Sequence, residues 1–220
     1  SLGEYAAAVA AGMMSFPDAL VAVSARGREM AAVKIDDPGK MAGVATREEK
    51  VTEVLKDIDG YVVAANKNCP TQTVIAGESA AVEAAMAAFK EKKVSVQPLP
   101  VSHAFHSAIV APASEPFKRV LTRLDVRPPR RPITTNVDAS YYNGSTSAQI
   151  VDNLAKQIAS PVEWIKQIER MYEDGARVFV ECGPKRALTG FVTTILRRVE
   201  HRAVYTLSLI HISEPTRRYE

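Results

Sequence analysis

The strongest constraint on the fold is a change of rhythm at the turn Asp36-Asp37-Pro38-Gly39. Beyond it, "KMAGVAT" reads as a strand, "REEKVTEVLKDID" as an amphipathic helix, "GYVVAANKN" and "TQTVIAG" as strands, "ESAAVEAAMAAFKEKK" as a helix and "VSVQPLPVS" as a last strand. Short β-branched runs suit a pleated surface, whereas apolar residues three and four apart share one face of a helix. The order β-α-β-β-α-β over residues 39–97 is that of a split βαβ, or ferredoxin-like, unit.

The flanks are built from longer units. Residues 1–15 read as an alanine-rich helix. A second helix starts from Ser15 as cap, with Pro17 in its first turn and Leu20, Val23 and Met30 on one apolar side. After the insert, "SAIVAPASEPFKRVLTRLDV" is helical and the proline-rich "RPPRRP" closes it. "ITTNVDA" is predicted as a strand, and the stretch from Ser145 to Ala176 as two helices broken at Ser160-Pro161. "RVFVECG" is predicted as a buried strand, and "PKRALTGFVTTILRRV" as a helix with Pro184 in its opening turn. Alternating strands and helices predict a mostly parallel sheet flanked by helices. The expected fold class is therefore α/β. Residues 1–38 and 98–206 form a large parallel-sheet subdomain, and residues 39–97 form an inserted ferredoxin-like (βαββαβ) subdomain.

Composition excludes several functions. With 220 residues, 46% of them hydrophobic, the chain can bury a substantial core. No apolar run reaches the ~18–20 residues of a bilayer span. The formal charge of +3 is small and scattered, and "VRPPRRP" has no interleaved aromatics, which argues against nucleic acid. Cys69 and Cys182 stand far apart without a CxxC, and the 4 histidines show no HxxxH spacing, so no metal site is expected. A cytoplasmic location with reduced thiols is the expectation. At the other end, "LSLIHISEPTR" (Leu207 to Arg217) resembles the translation of a transposase-type sequencing adapter, and residues 207–220 are expected to be foreign to the fold.

Two segments carry the candidate chemistry. "SLGEY" admits two readings: Ser1 as a helix N-cap with Glu4 at capping-box spacing, or Ser1-Leu2-Gly3 as the second half of a G-x-S-x-G nucleophile elbow. "VSHAFHS" follows the last strand of the insert and holds His103 and His106 in one short loop. A serine hydroxyl is a weak nucleophile until an adjacent imidazole takes its proton.

In order along the chain, "SLGEYAA", "ARG", "ANKNCPTQTVIAG", "PLPVSHAFHS", "ITTNVDA", "SPVEW" and "ECGPKRALTGF" resemble the malonyl/acyl-CoA:acyl-carrier-protein transacylase family. That family includes the acyltransferase domains of polyketide and polyunsaturated fatty-acid synthases. The resemblance implies an α/β-hydrolase-like large subdomain. It implies Ser1 as nucleophile and His106 as its base, and Gln157 as the residue whose backbone carbonyl orients that base. Arg26 would grip the free carboxylate of the substrate, as a planar guanidinium pairs bidentately and keeps its charge. His103 and Phe105 belong to an H-A-F-H signature associated with malonyl over methylmalonyl selection, with Phe105 crowding a branched α-carbon. The Leu2 N–H would supply one oxyanion donor. No cofactor is implied. The substrates would be a coenzyme A thioester, malonyl-CoA, and the phosphopantetheine thiol of an acyl carrier protein, with other synthase domains as further partners and neither nucleic acid nor membrane involved.

Family members read G-H-S-x-G at the elbow, and here Gly-His and the glutamine-bearing loop before it do not precede Ser1. The expectation is an N-terminally truncated domain that, made as written, is inactive. Two other readings stand beside it. One is a serine hydrolase or thioesterase of related fold, which would need no arginine clamp. The other is a non-catalytic domain that docks a carrier protein.

Overall fold

Ser1 stands at the head of α1 (Gly3–Ala10), an alanine-rich helix thin enough to pack closely. It is shorter than the sequence suggests, because Ala11 N and Met13 N bond back to Ala7 O and Ala8 O and the chain turns out. The next helix, α2 (Phe16–Ala31), starts as predicted: Ser15 Oγ accepts from Asp18 N at 3.1 Å and Pro17 occupies the first turn. The computed structural model describes residues 1–207, so 208–220 of the suspected adapter segment lie outside the described residues. The chain divides into two compact units, Ser1–Gln167 and the part from Ile168 onward.

Within the first unit, β1 (Lys40–Val44), α3 (Glu48–Leu55), β2 (Val62–Cys69), β3 (Gln72–Gly77), α4 (Ser79–Glu91) and β4 (Val96–Pro98) follow the β-α-β-β-α-β order read from the sequence. Their sheet is antiparallel throughout, in the order β2-β3-β1-β4. Val44, Ile75, Val51, Val82 and Phe89 meet between the sheet and its two helices. The last strand stops at Pro98, whose missing N–H cannot extend a ladder. Two glycines are required by space. A Cβ on Gly77 would meet Tyr61 O at 2.1 Å, and Gly39, at φ +73°, would meet Gly77 O at 2.4 Å.

The outer edge of β2 is not free. Val162 lies parallel to it, donating to Ala65 O at 2.8 Å and accepting from Lys67 N at 3.0 Å. The Lys67 ammonium reaches Glu48 at 2.7 Å and also bonds Glu163, so an ion pair reinforces the same junction.

The remainder of the first unit is helical: a 3-10 turn (Ala108–Ala113), α5 (Ser114–Leu121), α6 (Ser147–Lys156) and a second 3-10 turn (Gln157–Ala159). Thr146 and Gln149 close a capping box at the head of α6. Tyr5, Met13, Phe117, Leu121, Ile150 and Leu154 belong to the core that these helices share with α1 and α2. "ITTNVDA" is not a strand. Only Thr134 bridges Tyr141, and the Asp138 carboxylate accepts from Thr135 Oγ1 and Ser140 N. A short acceptor that can bond its own backbone two residues on turns the segment instead of extending it.

α7 (Trp164–Glu173) begins in the first unit and ends in the second. The second unit contains β5 (Val178–Pro184), α8 (Ala187–Ile195) and β6 (Arg202–Leu207), with β5 and β6 parallel. Two expectations change here. β5 is not buried, since Val178 and Val180 are 61% and 53% exposed: its apolar run stands in a pair, not between two strands. Pro184 ends β5 opposite Leu207 rather than opening α8, whose first amides are met by the Glu181 carboxylate through Leu188 N and Thr189 N. The architecture is thus mixed α/β, and the parallel component among the described residues is this one strand pair together with the isolated Asn66–Val162 bridge. No helix among them is long and apolar enough to cross a membrane.

Candidate active site

Ser1, Arg26 and His106 come from three separate segments and converge. Ser1 precedes α1, Arg26 lies in the interior of α2, and His106 ends the "VSHAFH" loop that follows β4. The Ser1 hydroxyl lies 3.0 Å from His106 Nε2 and accepts from Arg26 Nη2 at 3.1 Å. Arg26 and His106 are buried, at 8% and 6% exposure.

The histidine tautomer follows from its other contacts. His106 Nδ1 faces two carbonyl oxygens, Ser160 O at 3.0 Å and Gln157 O at 3.2 Å. Carbonyls only accept, so Nδ1 carries the proton and the Nε2 lone pair faces the serine. The backbone is fixed as well: His106 N donates to Ile158 O at 3.2 Å, and the residue sits at φ +60°, a left-handed conformation uncommon outside glycine. Burial, and then neighbouring positive charge that includes Arg26, push His106 down to about 4, against the pull of the two carbonyls. The imidazole is therefore neutral and able to accept a proton at ordinary pH.

Arg26 is itself perturbed. Burial lowers its pKa, and Tyr5 and Glu4 raise it. Its Nε is buried without a hydrogen-bond partner, so part of a five-donor fork stands ready for an acceptor.

The other predicted positions fall as follows. Leu2 forms the N-cap of α1, where helix amides have no intrahelical partner, and its side chain is exposed. Phe105 is half-buried against the core that includes Tyr5, and its ring centroid lies 6.2 Å from that of His103. His103 Nδ1 contacts Ser102 Oγ at 3.1 Å. Gln157 supplies the expected carbonyl to His106, and its side-chain amide is also engaged, donating to Ser1 O at 3.2 Å and to the Glu4 carboxylate.

Sequence reasoning missed Glu4, Asn136, Tyr142 and Ser160. The sequence offers Glu4 only as a capping-box partner of Ser1, yet α1 has no side-chain cap. The Glu4 carboxylate is buried and accepts from Tyr142 Oη at 2.6 Å, Asn136 N at 3.2 Å, Asn136 Nδ2 and Gln157 Nε2. Burial and the nearby Glu4 charge push the Tyr142 phenol well up, keeping it a donor. Among the described residues, no group of three His, Cys, Asp or Glu is placed to hold a metal ion.

The arrangement can do one kind of chemistry: a neutral imidazole aimed at a serine hydroxyl generates an oxygen nucleophile, and a partly unpartnered guanidinium beside it favours an anionic reactant. Comparison with known proteins agrees. The family model described as "Acyl transferase domain" matches residues 1–210. The malonyl CoA-acyl carrier protein transacylase of Bacillus subtilis is 36% identical over 225 residues, covering 100% of this chain and 70% of that protein. The acyl-carrier-protein S-malonyltransferase of Burkholderia pseudomallei superposes with a TM-score of 0.89 at 34% identity, over 99% of this chain and 71% of the other. A malonyl-transacylase solved in complex with a type II polyketide-synthase acyl carrier protein gives 0.83 at 32% identity, over 91% and 66% of the two chains. With a family model spanning nearly its whole length and relatives more than 30% identical, the chain belongs to the acyl transferase domain family and is an acyltransferase.

Proposed function

We propose that this acyltransferase moves a malonyl group from coenzyme A to the phosphopantetheine thiol of an acyl carrier protein, through an ester on Ser1. The observation that carries the reading is the Ser1 hydroxyl held between His106 Nε2 at 3.0 Å and Arg26 Nη2 at 3.1 Å. Malonyl-CoA transacylases among its relatives, and the solved transacylase bound to a carrier protein, support the choice of substrates.

In the first half-reaction His106 Nε2 takes the serine proton as Oγ attacks the thioester carbonyl. The C–S bond breaks, the ester forms, and coenzyme A leaves with the proton from the imidazolium. In the second, the carrier thiol gives its proton to His106 and attacks the ester, and the proton returns to Ser1 Oγ. The Leu2 N–H, at the positive end of α1, stabilises the oxyanion in both directions. The Arg26 guanidinium, whose Nε is buried without a hydrogen-bond partner, takes the free carboxylate, so a substrate without one leaves a buried donor unpaired. Phe105, beside the base, limits bulk at the α-carbon. Residues 39–97 act as an inserted subdomain in this scheme, and the protein works either alone or within a larger synthase.

The test is to incubate the full-length protein with malonyl-CoA, identify the modified peptide by mass spectrometry, then add a holo acyl carrier protein. The reading predicts malonyl on Ser1 and its transfer to the carrier. Discharge to water alone would favour a hydrolase, and carrier binding without any acyl-serine would favour a docking domain.

A further inference from the structure

We infer that the Glu4 carboxylate and the Gln157 side-chain amide form a positioning pair that sets the distance between Ser1 and His106. This rests on the reading of Ser1 and His106 as nucleophile and base, and not on which acyl group they transfer.

Gln157 touches both reacting residues with different atoms. Its backbone carbonyl accepts from His106 Nδ1 at 3.2 Å, while its side-chain Nε2 donates to Ser1 O at 3.2 Å. One residue thereby connects the base to the main chain of the nucleophile, across 156 positions of sequence separation in the second bond. Which way the amide points is decided by Glu4. Nε2 also donates to Glu4 Oε2, and the amide oxygen Oε1 is buried with no partner. Turning the amide over would set Oε1 against a carboxylate, a repulsion in a site where charges are poorly screened. An orphaned buried oxygen is a local penalty, and the orientation persists against it. Glu4 can impose it because it is itself fixed. At 6% exposure it is held by Tyr142 and by both nitrogens of Asn136, and Asn136 is in turn braced by Gln167 Nε2 at 3.0 Å.

The hydrogen bonds of the carboxylate go to Tyr142, Asn136 and Gln157. Of these three, Gln157 is the one that also bonds Ser1 and His106, so the pair positions them through Gln157, beside the charge that Glu4 presents to Arg26. Loss of either member weakens the link from Gln157 to Ser1 O, leaving that carbonyl to the local Glu4 N–H at 3.2 Å, and lets the 157–160 turn shift under His106. A misplacement on the order of 1 Å between reacting groups costs roughly 10²-fold in rate.

The experiment uses Ser1 reactivity toward an alkyl fluorophosphonate in the full-length protein. Oγ bonds to phosphorus, the P–F bond breaks, fluoride leaves, and the hydroxyl proton passes to His106 Nε2. Labelling rates per folded molecule are measured across pH for wild type, Glu4→Gln, Gln157→Met and the double variant, alongside Tm. The expected result is a plateau rate roughly 10–100-fold lower in each single variant, with the double variant no slower than the worse single one. Gln157→Met keeps the backbone carbonyl and tests the amide by itself. Plateaus within twofold of wild type with only Tm lowered would overturn the inference, as would losses that multiply in the double variant. So would a displaced acid midpoint with an unchanged plateau, the mark of a charge effect alone. A wild-type Ser1 that the probe does not label also overturns it. A wild type that labels normally but ignores malonyl-CoA would sink the proposed substrate and leave the pair to stand or fall on the variants.

Discussion

Replacing Arg26 by alanine should collapse the preference for a dicarboxylic thioester. The guanidinium is buried, its Nη2 is 3.1 Å from Ser1 Oγ, and its Nε has no partner. Two charge-assisted hydrogen bonds to a substrate carboxylate, at about 1.5–3 kcal/mol each, amount to about 3–6 kcal/mol. At ~1.4 kcal/mol per decade that is roughly 10²–10⁴-fold in kcat/KM for malonyl-CoA. Arg26 also donates to Ser1 Oγ, so the variant will slow every substrate to some degree. The ratio of malonyl-CoA to acetyl-CoA removes that common factor. Acylation of Ser1 by each thioester, followed by rapid quench, gives the two kcat/KM values. The ratio should fall by at least ~10²-fold in Arg26→Ala, and by less in Arg26→Lys, which keeps the charge and loses the fork. An unchanged ratio would refute the argument, for it would mean that the guanidinium never meets the carboxylate.

Three further outcomes are expected. The folded state holds His106 neutral down to about 4, whereas the unfolded chain takes the proton near 6.5. Between those values the unfolded state binds more protons, so stability falls as pH drops through this window, and His106→Asn, which tolerates the left-handed backbone, should flatten the slope in urea titrations. Gly77→Ala should destabilise the protein by about 1–3 kcal/mol in the same titrations, because its Cβ meets backbone at Tyr61 O and Val62 Cα. Phe105→Ser should raise methylmalonyl-CoA use relative to malonyl-CoA by the roughly 10–200-fold that one methyl group is worth, measured by competition between the two thioesters.

The small antiparallel sheet was legible because its alternating and helical periods are short and clean. Val44, Ile75, Val82 and Phe89 fall on buried faces as the pattern requires. Ser1, Arg26 and His106 were legible as a set through family motifs, since each uses a side chain that a motif records. The carbonyls of Gln157 and Ser160 were harder to see, because every residue has a carbonyl and only the fold selects which two face Nδ1. Glu4 was misread for a related reason: three residues after a serine, a glutamate suits a cap, and nothing local reveals Tyr142 and Asn136 waiting in the interior. The "ITTNVDA" segment has strand composition at Ile133 to Thr135, but Asp138 competes for the backbone and turns it.

The pairing of Val162 with β2 bears on attempts to change substrate choice by exchanging modules. Ser160, whose carbonyl holds the imidazole, is two residues from the amide that bonds Ala65 O. A transplanted 39–97 segment would carry its own β2 edge, and any slip in that edge would be handed straight to the His106 imidazole. Chimeras cut at the ends of this segment should therefore lose turnover even when they fold and bind thioester, unless the recipient residues around 160–163 travel with the graft.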